Sequence, residues 1–179
     1  MNGRVFAVVG PSGAGKDTLL AGAVKACPAL HWARRTISRV ATIGGEPFEG
    51  VTAQEFDFLS HAGVFALQWP AHGLRYGIRL SEFAGLGKGV DVVFNGSRAA
   101  LTMALERFPG LIVVRISVPS KVLAERLAAR GRETAAEIEA RLARASYEVP
   151  SGFPLIDIAN DSTPQAGVAR LLAALQPRE

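Results

Sequence analysis

Gly10-Pro11-Ser12-Gly13-Ala14-Gly15-Lys16-Asp17-Thr18 follows directly on the apolar run Val5-Phe6-Ala7-Val8-Val9. A buried strand, a glycine-rich turn and the opening of a helix are the three parts of a phosphate-binding loop. Without a Cβ at Gly10, Gly13 and Gly15, the backbone can turn sharply and come close to a ligand. Successive N–H groups then point into one hollow, at the positive end of the helix that starts near Lys16. Lys16 adds a point charge for β- and γ-phosphates. The usual pattern has Ser or Thr after the lysine, to hold magnesium with a hydroxyl. Here Asp17 takes that position, and the hydroxyl comes one step later on Thr18. A carboxylate is also a hard oxygen ligand, so the metal of a bound nucleoside triphosphate is expected at Asp17 or Thr18.

Outward from this loop, strands alternate with helices. A helix is expected from about Lys16 to Ala26, with Leu19, Leu20, Ala23 and Val24 at helical spacing. A short strand, about Trp32 to Ser38, leads to the turn Gly44-Gly45-Glu46-Pro47. Thr52-Ala53-Gln54-Glu55 reads as a capping box opening a helix that ends before Gly63. Two strands flank Ala71-His72-Gly73, and a helix is predicted from about Ser81 to Leu86. Apolar runs at Val90–Phe94, Leu111–Val118 and Pro154–Ile158 are read as buried strands. Each has a helical pattern after it, reaching Phe108, Ala129 and Leu175, with a further helix at about Ala135–Tyr147. Such alternation predicts an α/β fold, a parallel sheet with helices on both faces in three layers. Ligands of such sheets bind beyond the carboxyl ends of the strands, where Lys16, Arg39, Asn95 and Arg98 are expected to gather.

At 179 residues the chain is read as one domain, residues 1–179, with no repeat or linker. No run approaches the ~20 apolar residues of a membrane helix, and the first residues lead straight into the loop without a signal-like segment. A lone cysteine, Cys27, suits a reducing compartment, so a cytoplasmic location is expected. The net charge is +4. There is no basic block and little aromatic interleaving, so neither nucleic acid nor membrane is expected as a partner. Three histidines and one cysteine at no ligand-like spacing argue against a protein-held zinc.

Only Lys16, Lys25, Lys88 and Lys121 are lysines among 20 cationic side chains, and the rest are arginines, whose planar fork suits bidentate phosphate contacts. Arg126, Arg130, Arg132, Arg141 and Arg144 follow the third long strand. They form either two solvated, salt-bridged helices or a helical lid that brings guanidinium groups over a triphosphate. Arg130, beside Gly131, is the better lid candidate. Between loop and lid, Arg34, Arg35, Ser38, Arg39, Gln68, His72, Tyr76, Asn95, Ser97 and Arg98 form a polar set, those at strand ends expected to line an acceptor pocket. For His72, a backbone-bonded turn residue and a catalytic group are equally compatible with the sequence.

These residues resemble the guanylate-kinase-like family of P-loop kinases across nearly the whole chain. The resemblance is carried by Gly10–Lys16, Ser38-Arg39, and Trp69 with His72-Gly73-Leu74-Arg75-Tyr76-Gly77. Arg126-Leu127, Arg130-Gly131-Arg132-Glu133, Ile138 and Arg141-Leu142 extend it. Within that family the chain is most similar to the ribose 1,5-bisphosphate phosphokinases. That narrower likeness rests on Lys16-Asp17, on Phe65-Ala66-Leu67 before Trp69, and on Asn95-Gly96-Ser97-Arg98.

The resemblance implies a nucleoside-monophosphate-kinase-like fold, with an acceptor-binding insertion at about 34–80 and a helical lid at about 126–145. It further implies ATP with Mg2+ on Gly10, Pro11, Ser12, Gly13, Ala14, Gly15, Lys16, Asp17 and Thr18, and catalysis by Lys16, Arg130 and Arg141. Arg39, Gln68, Tyr76, Asn95, Ser97 and Arg98 are then expected at a small sugar phosphate, which becomes 5-phosphoribosyl 1-diphosphate. Where guanylate kinases carry acidic side chains for guanine, Gln68 and Asn95 are amides. Thr42 replaces a second arginine, and a tyrosine pair near residues 50–56 is absent. A site that loses partners for a base rejects it, and exchanging carboxylates for amides removes repulsion against a bisphosphate. The alternatives are a guanylate kinase with altered base contacts and a non-catalytic guanylate-kinase-like binding module.

Overall fold

A computed structural model describes residues 2–39, 47–129, 131, 134–143, 149, 152 and 154–176. The chain opens with β1 (Val5–Val9), all five residues buried, and passes through the glycine-rich loop into α1 (Lys16–Ala26). Next come β2 (His31–Trp32), β3 (Arg35–Ile37), β4 (Phe48–Gly50) and α2 (Ala53–His61). The hairpin β5 (Phe65–Ala71) and β6 (Leu74–Arg79) leads into two 3-10 turns, and then to β7 (Val92–Asn95) and α3 (Arg98–Arg107). The chain continues with β8 (Ile112–Ser117), α4 (Ser120–Ala129), α5 (Ala135–Ala143), β9 (Leu155–Ala159) and α6 (Pro164–Leu175). No helix among the described residues is long and apolar enough to cross a membrane.

The larger sheet has the order β2-β7-β1-β8-β9 with every pairing parallel. Its central strand is buried on both faces, as five consecutive apolar residues require. Val5, Ala7 and Val9 face one core with Ala100, Leu101 and Ala104 of α3, while Phe6 and Val8 face another with Leu19, Leu20, Leu171 and Leu175 of α1 and α6. The three layers predicted from the alternation are therefore present. Because α1 leaves β1 on one face and α3 leaves β7 on the other, a crevice opens at the carboxyl ends of these neighbouring strands.

A second sheet, β4-β3-β6-β5, stands beside the first. The expected single strand at Trp32–Ser38 is in fact two strands in two sheets. β2 pairs with β7, after which the Arg34 N–H turns to the Glu82 carboxylate (3.0 Å) rather than to a ladder partner, and β3 joins β6. The helix expected at Ser81–Leu86 is replaced by 3-10 turns at Leu80–Phe83 and Leu86–Lys88, broken at Gly85, where a Cβ would meet the Val90 Cβ at 2.9 Å. The capping box on α2 is formed: Thr52 accepts from the Glu55 N–H, and the Glu55 carboxylate accepts from the Thr52 N–H. The Gly44–Glu46 part of the predicted turn, Thr42 and the end of the predicted helix at 144–147 lie outside the described residues. His72 and Gly73 both have positive φ, 51° and 71°. Two such residues make the tight hairpin turn that matches strand twist, so His72 is a turn residue.

Glu49 stitches the second sheet together, accepting from Arg79 (Nε and Nη2, both 2.8 Å) and from the Thr36 hydroxyl (2.7 Å). The Arg79 hydrogen bonds, helped by Thr36 and opposed by partial burial, hold its carboxyl below the ordinary value of 4.5. The native state thus binds the proton less readily than the unfolded chain. The stabilisation is complete above that ordinary value and is lost as pH falls through the lowered one. Partial exposure limits it to about 1 kcal/mol. Thermal unfolding from pH 7 to pH 3 should show this fraction of the acid sensitivity vanish in Glu49→Gln; an unchanged pH profile would remove Glu49 from the account.

Candidate active site

The loop after β1 adopts the geometry its glycines permit. Gly10, Gly13 and Gly15 have φ of 151°, 91° and 88°. Close neighbours hold it in place: a Cβ on Gly10 would meet the Ile116 carbonyl oxygen at 2.5 Å, and one on Gly15 would meet Asn160 Nδ2 at 2.7 Å. Leu123 and Leu127 of α4 pack under Gly13. The Lys16 ammonium lies across the loop, donating to the carbonyls of Gly10 (2.9 Å) and Pro11 (3.0 Å). Asp17 sits in the first turn of α1, where a carboxylate is favoured by the helix dipole. Its Oδ1 accepts from Asn95 Nδ2 at 2.7 Å. Thr18 is exposed and points elsewhere, toward a groove of about 320 Å3 lined by Gly13, Gly15, Arg126, Ala129, Asn160, Ser162 and Pro164. Arg126 donates weakly to the Ser162 carbonyl (3.4 Å), while its Nη1 is shut from solvent with no partner among the described residues.

Asn160, at the end of β9, is the residue that sequence reasoning missed. It is buried, its Nδ2 donates to the Ala14 carbonyl (2.7 Å) and its N–H to the Ser117 carbonyl (2.8 Å), so one side chain braces the phosphate loop from two strands away. Its position directly after an apolar strand was the available signal.

On the other wall of the crevice, β1 and β7 run in register with Val8 opposite Asn95. Asn95 is buried, Ser97 is the N-cap of α3 and makes no side-chain cap bond, and Arg98 is exposed at the first turn. The Ser97 hydroxyl is enclosed and has no partner among the described residues. In the second sheet, Tyr76 is buried in the core. Its ring stacks on Trp69 (5.7 Å, 9° between planes), and Arg35 lies over it at 5.3 Å. Arg39 is exposed, its guanidinium 4.7 Å from the centre of the Phe48 ring. Ser38 ties β3 to β6 by accepting from the Arg75 N–H (2.8 Å).

No protein-family model matches the chain. A ribose 1,5-bisphosphate phosphokinase PhnN from Ruegeria sp. is 46% identical over 97% of this chain and 92% of its own length. The chain belongs to the ribose 1,5-bisphosphate phosphokinase family. A bifunctional ribose 1,5-bisphosphokinase-thymidine phosphorylase from Azorhizobium caulinodans is also 46% identical over 97% of the chain. The chain spans only 26% of that longer protein. A crystal structure of a guanylate kinase from Anaplasma phagocytophilum superposes with a TM-score of 0.68, 18% identity and coverage of 99% of this chain and 88% of that one, a likeness of fold.

In this phosphokinase-family chain the structure joins Asp17, next to Lys16, to Asn95, with Ser97 and Arg98 following at the start of α3, while Arg39, also expected at these strand ends, lies against Phe48 of β4. Gln68 departs from the expectation. It is exposed, and its Oε1 accepts from Ser60 of α2 at 2.7 Å. Its register partner is Gly77, whereas Trp69 pairs with Tyr76. Alternate strand residues face opposite sides, so Gln68 lies on the α2 side and Tyr76 on the core side. Arg130, Arg132 and Arg144 lie outside the described residues; Arg141 lies within α5, and its side chain is not described.

Proposed function

We propose that the chain is an ATP-dependent kinase that phosphorylates ribose 1,5-bisphosphate to 5-phosphoribosyl 1-diphosphate. The observation that carries this reading is a phosphate loop with Lys16 across it, facing a second anion-suited wall, Asn95–Arg98, across the β1–β7 crevice. An oxygen of the sugar's 1-phosphate attacks the γ-phosphorus of ATP, and the bond to the bridging β,γ-oxygen breaks, leaving ADP. That oxygen is already ionised near neutral pH, so no general base is needed and catalysis reduces to alignment and charge neutralisation.

Lys16 and the loop N–H groups hold the β- and γ-phosphates. The groove beside Thr18 and Arg126 takes the remainder of the nucleotide, and the enclosed Nη1 of Arg126 supports that assignment. Ser97, Arg98 and the start of α3 receive acceptor phosphates, with Arg39 and Tyr76 on the opposite rim. By family match, Arg130 and Arg141 attend the moving phosphoryl. Among the described residues no three His, Cys, Asp or Glu side chains cluster. One carboxylate at the loop fits a magnesium ion that arrives on phosphate oxygens and keeps several waters. Asp17, on the crevice side, is the better holder than Thr18. When bound, the ion neutralises charge on the β- and γ-phosphates.

A coupled ADP-release assay with ATP and magnesium tests this, using ribose 1,5-bisphosphate, GMP or no acceptor. Turnover is expected with the sugar bisphosphate, with kcat/KM for GMP lower by about 10³-fold or more. Comparable or better turnover of GMP would overturn the reading in favour of a guanylate kinase.

A further inference from the structure

We infer that Asn95 is the positioning residue for Asp17, and that the two form an inverted version of the pair found in ordinary phosphate loops. This rests on the kinase reading of the site. In ordinary loops a Ser or Thr hydroxyl follows the lysine, and an aspartate on a nearby strand helps hold the metal. Here the carboxylate has moved to the loop, at Asp17, and an amide stands at the end of β7, the strand beside β1. A carboxylate offers only acceptors, so its partner must donate. Asn95 meets that need through Nδ2 at 2.7 Å, from a side chain that is 4% exposed. An aspartate at 95 would set two acceptors and two negative charges against each other in a part-buried place. One negative charge is kept in either arrangement, and only its location and the direction of the hydrogen bond change.

A single constraint thus accounts for both departures, Asp17 after the lysine and the amide at 95. It also gives Asn95 a task other than base discrimination. Holding one oxygen of Asp17 orients the other, as outer partners orient metal-ligating carboxylates.

The test uses Asn95→Asp, Asn95→Ala, Asp17→Thr and the double variant Asp17→Thr/Asn95→Asp. Two readouts are taken: thermal unfolding of the ligand-free protein, and calorimetric ADP binding with and without magnesium. Asn95→Asp should lower the unfolding midpoint by roughly 4–10 °C, more than Asn95→Ala does, because it sets a second carboxylate against that of Asp17. It should weaken magnesium-dependent ADP binding by about 10–100-fold. The double variant, a hydroxyl facing a carboxylate, should recover the midpoint and bring binding within about threefold of the original. Equal effects of Asp and Ala at 95, or a double variant no better than Asn95→Asp, would overturn the inference. If Asn95→Asp does not fold, a folded double variant supports the pair and an unfolded one counts against it. Neither measurement contains a sugar phosphate, so failure here leaves the acceptor assignment to its own assay.

Discussion

Replacing Lys16 by alanine is expected to lower turnover by about 10²–10³-fold, the loss typical of a preorganised donor aimed at developing charge. The ammonium group bridges the Gly10 and Pro11 carbonyls, so it is held over the hollow instead of trailing in solvent. On ATP binding it exchanges two neutral acceptors for phosphate oxygens, a charge-assisted contact and a stronger one. The fold depends on it much less. Lys16 is only partly buried, and its bonds to the Gly10 and Pro11 carbonyls are part-buried contacts within one loop, so the unfolding midpoint should move by a few degrees at most. ADP release and thermal unfolding, measured on the same preparation, separate the two effects. Activity within tenfold of the original would remove Lys16 from the mechanism.

Gly15→Ala should harm both stability and nucleotide binding, for a reason local sequence does not contain. Gly15 sits at φ 88° and ψ 15°, a left-handed conformation that costs an alanine roughly 1–2 kcal/mol. The added Cβ would also lie 2.7 Å from Asn160 Nδ2, the atom that holds the Ala14 carbonyl. Displacing it leaves a buried amide and a carbonyl unpaired, adding about 1–3 kcal/mol. Together these predict a fall in unfolding midpoint of roughly 5–15 °C, with a rise in KM for ATP of at least about tenfold as the loop N–H groups lose alignment. Gly87→Ala is the control: no atom lies within 4 Å of a Cβ there and its φ is not positive. In an Asn160→Ala background the clash is gone, so Gly15→Ala should cost less than in the original chain. Additive losses would show that strain alone, and not the brace, explains the first result.

The features that could be read in the chain are those whose physics is local. The phosphate loop is nine consecutive residues; the α2 cap needs only Thr52 and Glu55; α6 follows from the helical spacing that runs to Leu175. Alternation of apolar runs with helical spacing was enough for a parallel sheet, and hence for the expectation that ligands bind beyond the carboxyl ends of its strands.

What escaped depends on partners far along the chain. Asn160 braces a carbonyl 146 residues away. Asn95 meets Asp17 across 78 residues, a pairing that follows from the β1–β7 register and not from either neighbourhood. Trp32–Ser38 looks like one strand, and only the competing pull of Glu82 and of two sheets divides it. Gln68 was assigned to the acceptor side by resemblance to the guanylate kinases. In a strand, though, adjacent residues take opposite faces, and a register irregularity between Phe65 and Leu67 precedes it. Sequence by itself thus determined the parallel α/β layering and the phosphate loop. Tertiary structure alone decided which polar side chains meet there, because a hydrogen bond needs atoms about 3 Å apart, and only the assembled sheet sets that distance.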